Sequence, residues 1–157
     1  PGPQLERAAL RGNLIHALFQ KLPALPSAER RGAALRWLSS RAGDMDAGAL
    51  ADEILAVMDD PAHAALFAET ALTEAPISAV VDERVIAGTM DVLLVERGFV
   101  RVIDYKTDRR VPSELADIPG RHRRQMAAYV SALEKIFPGR TIEAGLLYTA
   151  GPKLIWL

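Results

Sequence analysis

The stretch GTMDVLLVERGFVRVIDYKTD, Gly88 to Asp108, consists of two β-branched and aliphatic runs joined by ERG. Runs of this composition on either side of a short polar break predict two strands and a hairpin turn. In an extended strand, successive side chains alternate faces. Val100, Val102, Asp104 and Lys106 therefore share one side, and Phe99, Arg101, Ile103 and Tyr105 the other. By the same rule Asp91 shares a face with Thr89, Leu93 and Val95, and hairpin pairing sets that face beside Asp104. Two carboxylates and an ammonium are thus expected to converge within runs otherwise made for burial. Buried charges must be paired, neutralised or coordinated to a metal. Glu74, in the preceding run ALTEAPISAVV, offers a third carboxylate. Such hard oxygen donors suit Mg²⁺ or Mn²⁺. A lysine beside the metal can hold a water or a phosphate oxygen, the equipment for phosphodiester hydrolysis.

Outward from these strands the pattern is helical. LERAALRGNLIHALFQKL repeats apolar residues at helical spacing (Leu10, Leu14, Ala17, Leu18). PSAERRGAALRWLSSRAG opens with a proline and a serine cap and closes at Gly43, and predicts a second helix. DAGALADEILAVMDD and AHAALF predict a third helix and a short fourth, separated by Pro61. On the other side, GRHRRQMAAYVSALEKIF predicts a helix ending at Pro138 and Gly139, and TIEAGLLYTAGPKLIWL one or two closing strands. Helices, strands, helix and strand in this order predict an α/β or α+β layered fold with a mixed sheet flanked by helices.

With 157 residues, half of them apolar, the chain is expected to form one domain. It has no cysteine, which excludes disulfides, a zinc ribbon and a cysteine-ligated iron–sulfur cluster, and which fits a reducing cytoplasm. No apolar run approaches the roughly 20 residues a membrane span needs, and the stretch PGPQLERAALRGN lacks the charged-then-apolar order of a signal peptide, so no membrane partner is expected. The net charge is only −1, but between Lys106 and Arg124 six basic residues face three acidic ones. Arg109, Arg110, Arg121, Arg123 and Arg124 are accordingly candidates for contact with a nucleic-acid backbone, without base readout.

These residues resemble the PD-(D/E)XK nucleases, in the RecB-type branch whose pattern is G-x-x-D, a hairpin, then D-x-K-T. RGNLIH is similar to the helical motif whose histidine, here His16, binds metal in that branch. Glu74 in EAPIS stands where the branch has an acid on its first core strand, and QMAAY matches the Q-x-x-x-Y helix motif at Gln125 and Tyr129. With LIHALFQKLPAL and GLLYT, the chain most resembles the AddA-type nuclease domains of helicase–nucleases.

The resemblance implies a restriction-endonuclease-like α/β fold with an N-terminal helical segment. One nuclease domain would fill residues 1–157, with residues 1–70 mainly helical and carrying His16 and residues 71–157 forming the core. It implies Mg²⁺, with Mn²⁺ as a substitute, held by Asp91, Asp104, His16 and the carbonyl of Tyr105, with Glu74 acting directly or through water. Lys106 would orient or activate the attacking water. Gln125 and Tyr129 would face the active site or a phosphate, while His63 and His122 match no motif. The implied setting is bacterial and cytoplasmic. The implied partners are a single DNA strand emerging from a helicase, the helicase part of the same polypeptide, and an AddB-like second subunit. The start at PGPQ suits a piece of such a machine, and no phosphate-binding G-x-x-x-x-G-K-[ST] loop occurs, so no ATP site is expected. The rival readings are a catalytically silent DNA-binding or scaffolding module of the same fold, and a nuclease acting on RNA.

Overall fold

The computed structural model describes residues 2–157. Helix α1 (Pro3–Lys21) leads through a 3-10 turn into α2 (Ser27–Leu38) and α3 (Ala47–Met58). Three antiparallel strands follow, β1 (Leu72–Val81), β2 (Arg84–Val95) and β3 (Phe99–Lys106). Helix α4 (Gly120–Ile136) then crosses to β4 (Thr141–Tyr148), which pairs parallel with β3, and β5 (Lys153–Trp156) closes the sheet antiparallel to β4. The order β1-β2-β3-β4-β5 makes a mixed five-stranded sheet with helices on both faces, the expected α/β fold. A parallel pair needs a long crossover, which α4 supplies. Among the described residues no helix is long and apolar enough to cross a membrane.

Each face of the sheet has its own core. Helices α1 to α3, with Leu22 of the 3-10 turn, bury Ile15, Leu18, Leu38 and Ile54 against Val92, Leu94, Ile103 and Tyr105. Helix α4 buries Met126, Ala132 and Leu133 against Leu93, Val100, Val102 and Leu146. Each of the leucines, isoleucines, valines and methionines contributes about 1.5–3 kcal/mol of transfer free energy. β3 thus divides its residues by parity as the alternation rule requires.

Several local expectations need correction. The buried stripe of α1 is Arg11, Leu14, Ile15, Leu18 and Phe19, whereas Leu10 is exposed. Ile15 and Phe19 fit the same helical period as Leu10 and Ala17, and only the sheet selects between the two stripes. Ser27 does not cap α2: Pro26 is the N-cap residue, and no side chain bonds the helix start. Asp46 does cap α3, accepting from the Ala49 amide at 3.0 Å. The expected fourth helix is a 3-10 segment, Pro61–Phe67.

Alternation fails in β2 at one place. Met90, Val92 and Leu94 have the same parity, yet Met90 packs on the α4 side and the other two on the α1 side. Asp91 stands at this change of facing. Opposite it in β1, Glu74 has a left-handed backbone, φ 48°. Between Leu72 and Val81, Glu74 is also the one position without a partner in the β1–β2 ladder. A non-glycine residue held at positive φ costs on the order of 1–3 kcal/mol, and such strain clusters at functional sites.

Candidate metal and nuclease site

The ladder between β2 and β3 ends at Val92 and Ile103. One residue further, the Asp91 carboxylate replaces the ladder: its Oδ2 accepts from the Tyr105 amide at 2.7 Å. Its Oδ1 lies 3.2 Å from Nδ1 of His16, which α1 lays across the sheet. His16, Glu74 and Asp91 each present a ligand atom, all within 4.8 Å of one another. Three elements far apart in sequence thus meet where the β2 facing changes. The cavity there, about 540 Å³, has small residues on its helical wall, Ala8, Ala9, Gly12 and Ala17, which leave the donors accessible.

Asp104 falls outside that group of three and adjoins Asp91 from β3. Its Oδ2 lies 2.6 Å from Lys106 Nζ, so the predicted shared face of Asp104 and Lys106 is present. Lys106 donates a second bond to Gln125 Oε1 at 2.8 Å. The Gln125 amide lies 3.4 Å from the Tyr129 hydroxyl, which in turn donates to the Thr89 carbonyl at 3.1 Å. Gly88 makes room for this: a Cβ there would stand 3.0 Å from the Tyr129 hydroxyl. The helix α4 motif therefore acts on Lys106 through Gln125. The Tyr105 side chain gives no ligand, since its ring is buried against Phe19, Phe67 and His16; only its main-chain carbonyl remains as a donor.

The electrostatics follow from this crowding. Burial first, then the Asp91 carboxylate, push Asp104 up to about 6, although Lys106 pulls the other way. Burial disfavours a charged His16 ring. The bonded Asp91, with Asp104 and Glu74, outweighs burial and raises the ring above its usual 6.5. Burial pushes the Tyr129 hydroxyl up, so it stays protonated and able to donate. The donor set fits a hard divalent cation: one imidazole, two or three crowded carboxylates whose repulsion a cation relieves, and a strained Glu74 backbone.

The basic residues divide. Arg109 and Arg110 are exposed just beyond β3, and with Arg7 and Arg11 they line a cavity of about 700 Å³ beside the acid cluster. Arg121 is bound to Asp108 at 3.1 Å. Arg124 is exposed on α4, and Arg123 lines a different cavity, with Leu115, Met126 and Ile142. Sequence reading missed Arg11, buried between α1 and α3. It bonds the Thr107 carbonyl and both oxygens of Glu53. His122, which matches no motif, is built into the core: Nδ1 lies 3.0 Å from the Tyr148 hydroxyl and Nε2 3.8 Å from Asp108. Burial, then Lys106, lower His122 below its usual value. His63 is structural, bonded to the Val57 carbonyl at 2.8 Å. The only sequence signal for Arg11 was a charge within an otherwise apolar helical stripe.

A family model described as the PD-(D/E)XK nuclease superfamily matches residues 1–154, and the chain belongs to that superfamily. It is thereby placed among phosphodiester-hydrolysing nucleases, which are typically dependent on divalent metals. No curated protein matches the sequence.

Proposed function

We propose that this chain is a Mg²⁺-dependent deoxyribonuclease domain, of the AddA type, serving a helicase–nuclease in double-strand-break repair. The observation that carries the reading is the junction of two groups: His16, Glu74 and Asp91 within 4.8 Å, and Lys106 fixed beside them by Asp104 and Gln125. A silent module has no chemical need for both. His16, Glu74 and Asp91 would hold Mg²⁺ or Mn²⁺, with Asp104 and the Tyr105 carbonyl as further donors. When bound, the ion supplies Lewis-acid activation of water and offsets charge growing on the phosphate.

The chain's own residues do the rest. Lys106 places a compact ammonium where it can orient the attacking water and bond a phosphate oxygen. Gln125 and Asp104 hold that ammonium against rotation, and Tyr129 steadies Gln125 from the Thr89 carbonyl. Water attacks phosphorus in line with the 3′ oxygen: its oxygen forms the new P–O bond and gives a proton to solvent, and the bond to the 3′ oxygen breaks, that oxygen leaving as a hydroxyl with a proton from solvent.

The order of RGNLIH, EAPIS, GTMD, DYKTD and QMAAY supports the AddA-type assignment. The implied partners are a single strand delivered by the helicase part of the same polypeptide and an AddB-like subunit, in a bacterial cytoplasm. The test is incubation with labelled single-stranded DNA and with RNA of the same sequence, with and without Mg²⁺. Cleavage of DNA only with Mg²⁺ is expected. Cleavage of RNA alone would overturn the substrate, and cleavage of neither would overturn the enzyme.

A further inference from the structure

Beside the acid cluster lies the groove of about 700 Å³ between the N-terminal half of α1 and the segment that follows β3. Ala8 and Thr107 line both this groove and the acid cavity, so the two abut there. The groove carries four arginines, and their partners differ. Arg11 is fully engaged by Glu53 and the Thr107 carbonyl. Arg7 makes one exposed contact with Asp44 at 3.4 Å, a pair of the weak, exchangeable kind. Arg109 and Arg110 are exposed and, among the described residues, paired with no carboxylate. Asp108 also lines the groove, but Arg121 offsets its charge at 3.1 Å. No aromatic side chain lines the groove, so stacking of bases has no platform.

A polyanion moving toward three crowded carboxylates needs positive charge on its way in, and Arg109 and Arg110 supply it beside the acid cavity, although Glu53 also feels the charge of Arg109. We infer that a nucleic-acid strand reaches the acid cluster along this groove, its phosphates held by Arg7, Arg109 and Arg110, without base or sugar readout. This inference rests on the nuclease reading of the site. It also separates the sequence's basic run: Arg109 and Arg110 belong to the path, whereas Arg123, on the cavity with Leu115 and Met126, lies off it. Discrimination between DNA and RNA then has to arise at the acid cluster.

The test is fluorescence anisotropy of a labelled oligothymidylate with the full chain in EDTA, repeated over a series of NaCl concentrations. For single strands the slope of log affinity against log salt is about −0.7 per phosphate contact, so Arg109→Ala/Arg110→Ala should flatten it by about 1.4. Affinity at low salt should fall roughly tenfold or more with the loss of two such contacts. Arg7→Ala should flatten the slope further, and Arg123→Ala should match wild type. An RNA oligonucleotide should bind equally and suffer the same losses. Melting temperature should change little throughout, since these side chains are exposed. A double variant with the wild-type slope, or a larger loss in Arg123→Ala, would overturn the path. The two readings fail separately. Arginine-dependent binding without cleavage in Mg²⁺ leaves the groove and removes the nuclease. Wild-type cleavage that the double variant retains leaves the nuclease and removes the groove.

Discussion

Asp104 and His16 titrate in opposite service, and their pH signatures separate folding from metal binding. Asp104 is raised from 3.8 to about 6, by burial and then by Asp91. The folded carboxyl therefore keeps a proton that the unfolded chain has released. Its contribution to stability is complete below about pH 4 and is lost as pH rises through about 6. The metal-stripped protein should lose several degrees of melting temperature over that window, and Asp104→Asn should flatten the profile in a thermal-shift series. His16 acts on the metal instead. Its ring must be neutral to coordinate, and Asp91 raises it above 6.5, so Mg²⁺ affinity should decline as pH falls toward and below that value. Calorimetry at several pH values checks this, and His16→Gln should show weaker binding with a flatter pH dependence. At this scale much was legible. Asp91, Asp104 and Lys106 stood out because charge in an apolar strand requires a partner. What was not legible is which carboxylates gather around His16, because the left-handed turn of Glu74 leaves no mark in composition.

Among the elements, α1 and α4 act on the sheet from opposite faces. Arg11 ties α1 to α3 through Glu53 and to the end of β3 through the Thr107 carbonyl. Arg11→Ala leaves the partly buried Glu53 without its hydrogen-bonded partner and the Thr107 carbonyl without its donor, so it should cost about 1–3 kcal/mol in urea denaturation. On the other face, Gly88→Ala would press a methyl group to 3.0 Å from the Tyr129 hydroxyl. Overpacking of this kind costs about 1–3 kcal/mol. It should also loosen Gln125 from Lys106, slowing cleavage far more than it weakens metal binding; kinetics and calorimetry on one preparation separate the two. Element types were legible from periodicity and composition, and the hairpin at ERG followed from its turn residues. The errors had a common origin. Leu10 and Ile15 satisfy the helical period equally, and strict alternation in β2 breaks at Asp91. In both places tertiary packing, not local pattern, decides which side is buried.

For the whole molecule, the site joins α1, β1, β2, β3 and α4, so it exists only when the chain is folded. A ligand that binds the folded state alone stabilises it by RT ln(1 + [L]/Kd), about 2.7 kcal/mol at a hundredfold excess over Kd. Mg²⁺ or Mn²⁺ should therefore raise the melting temperature, and Asp91→Asn, which loses the carboxylate shared by His16 and Tyr105, should abolish the shift. The mixed sheet was legible from the order of elements, and the ordered motifs pointed to the superfamily that the family match bears out. Convergence of the strand carboxylates was expected from pairing, whereas His16 joined them only through resemblance, because spacing along one chain does not report distance across a fold. The most direct test concerns Lys106, held by Asp104 and Gln125 beside the metal donors yet absent from them. Cleavage of a labelled single strand and Mg²⁺ affinity should be measured together on wild type and Lys106→Met, which keeps the stem and removes the charge. The account predicts Mg²⁺-dependent cutting by wild type, and a variant that binds metal within a few-fold of wild type and does not cut. A variant that cuts at the wild-type rate would contradict it.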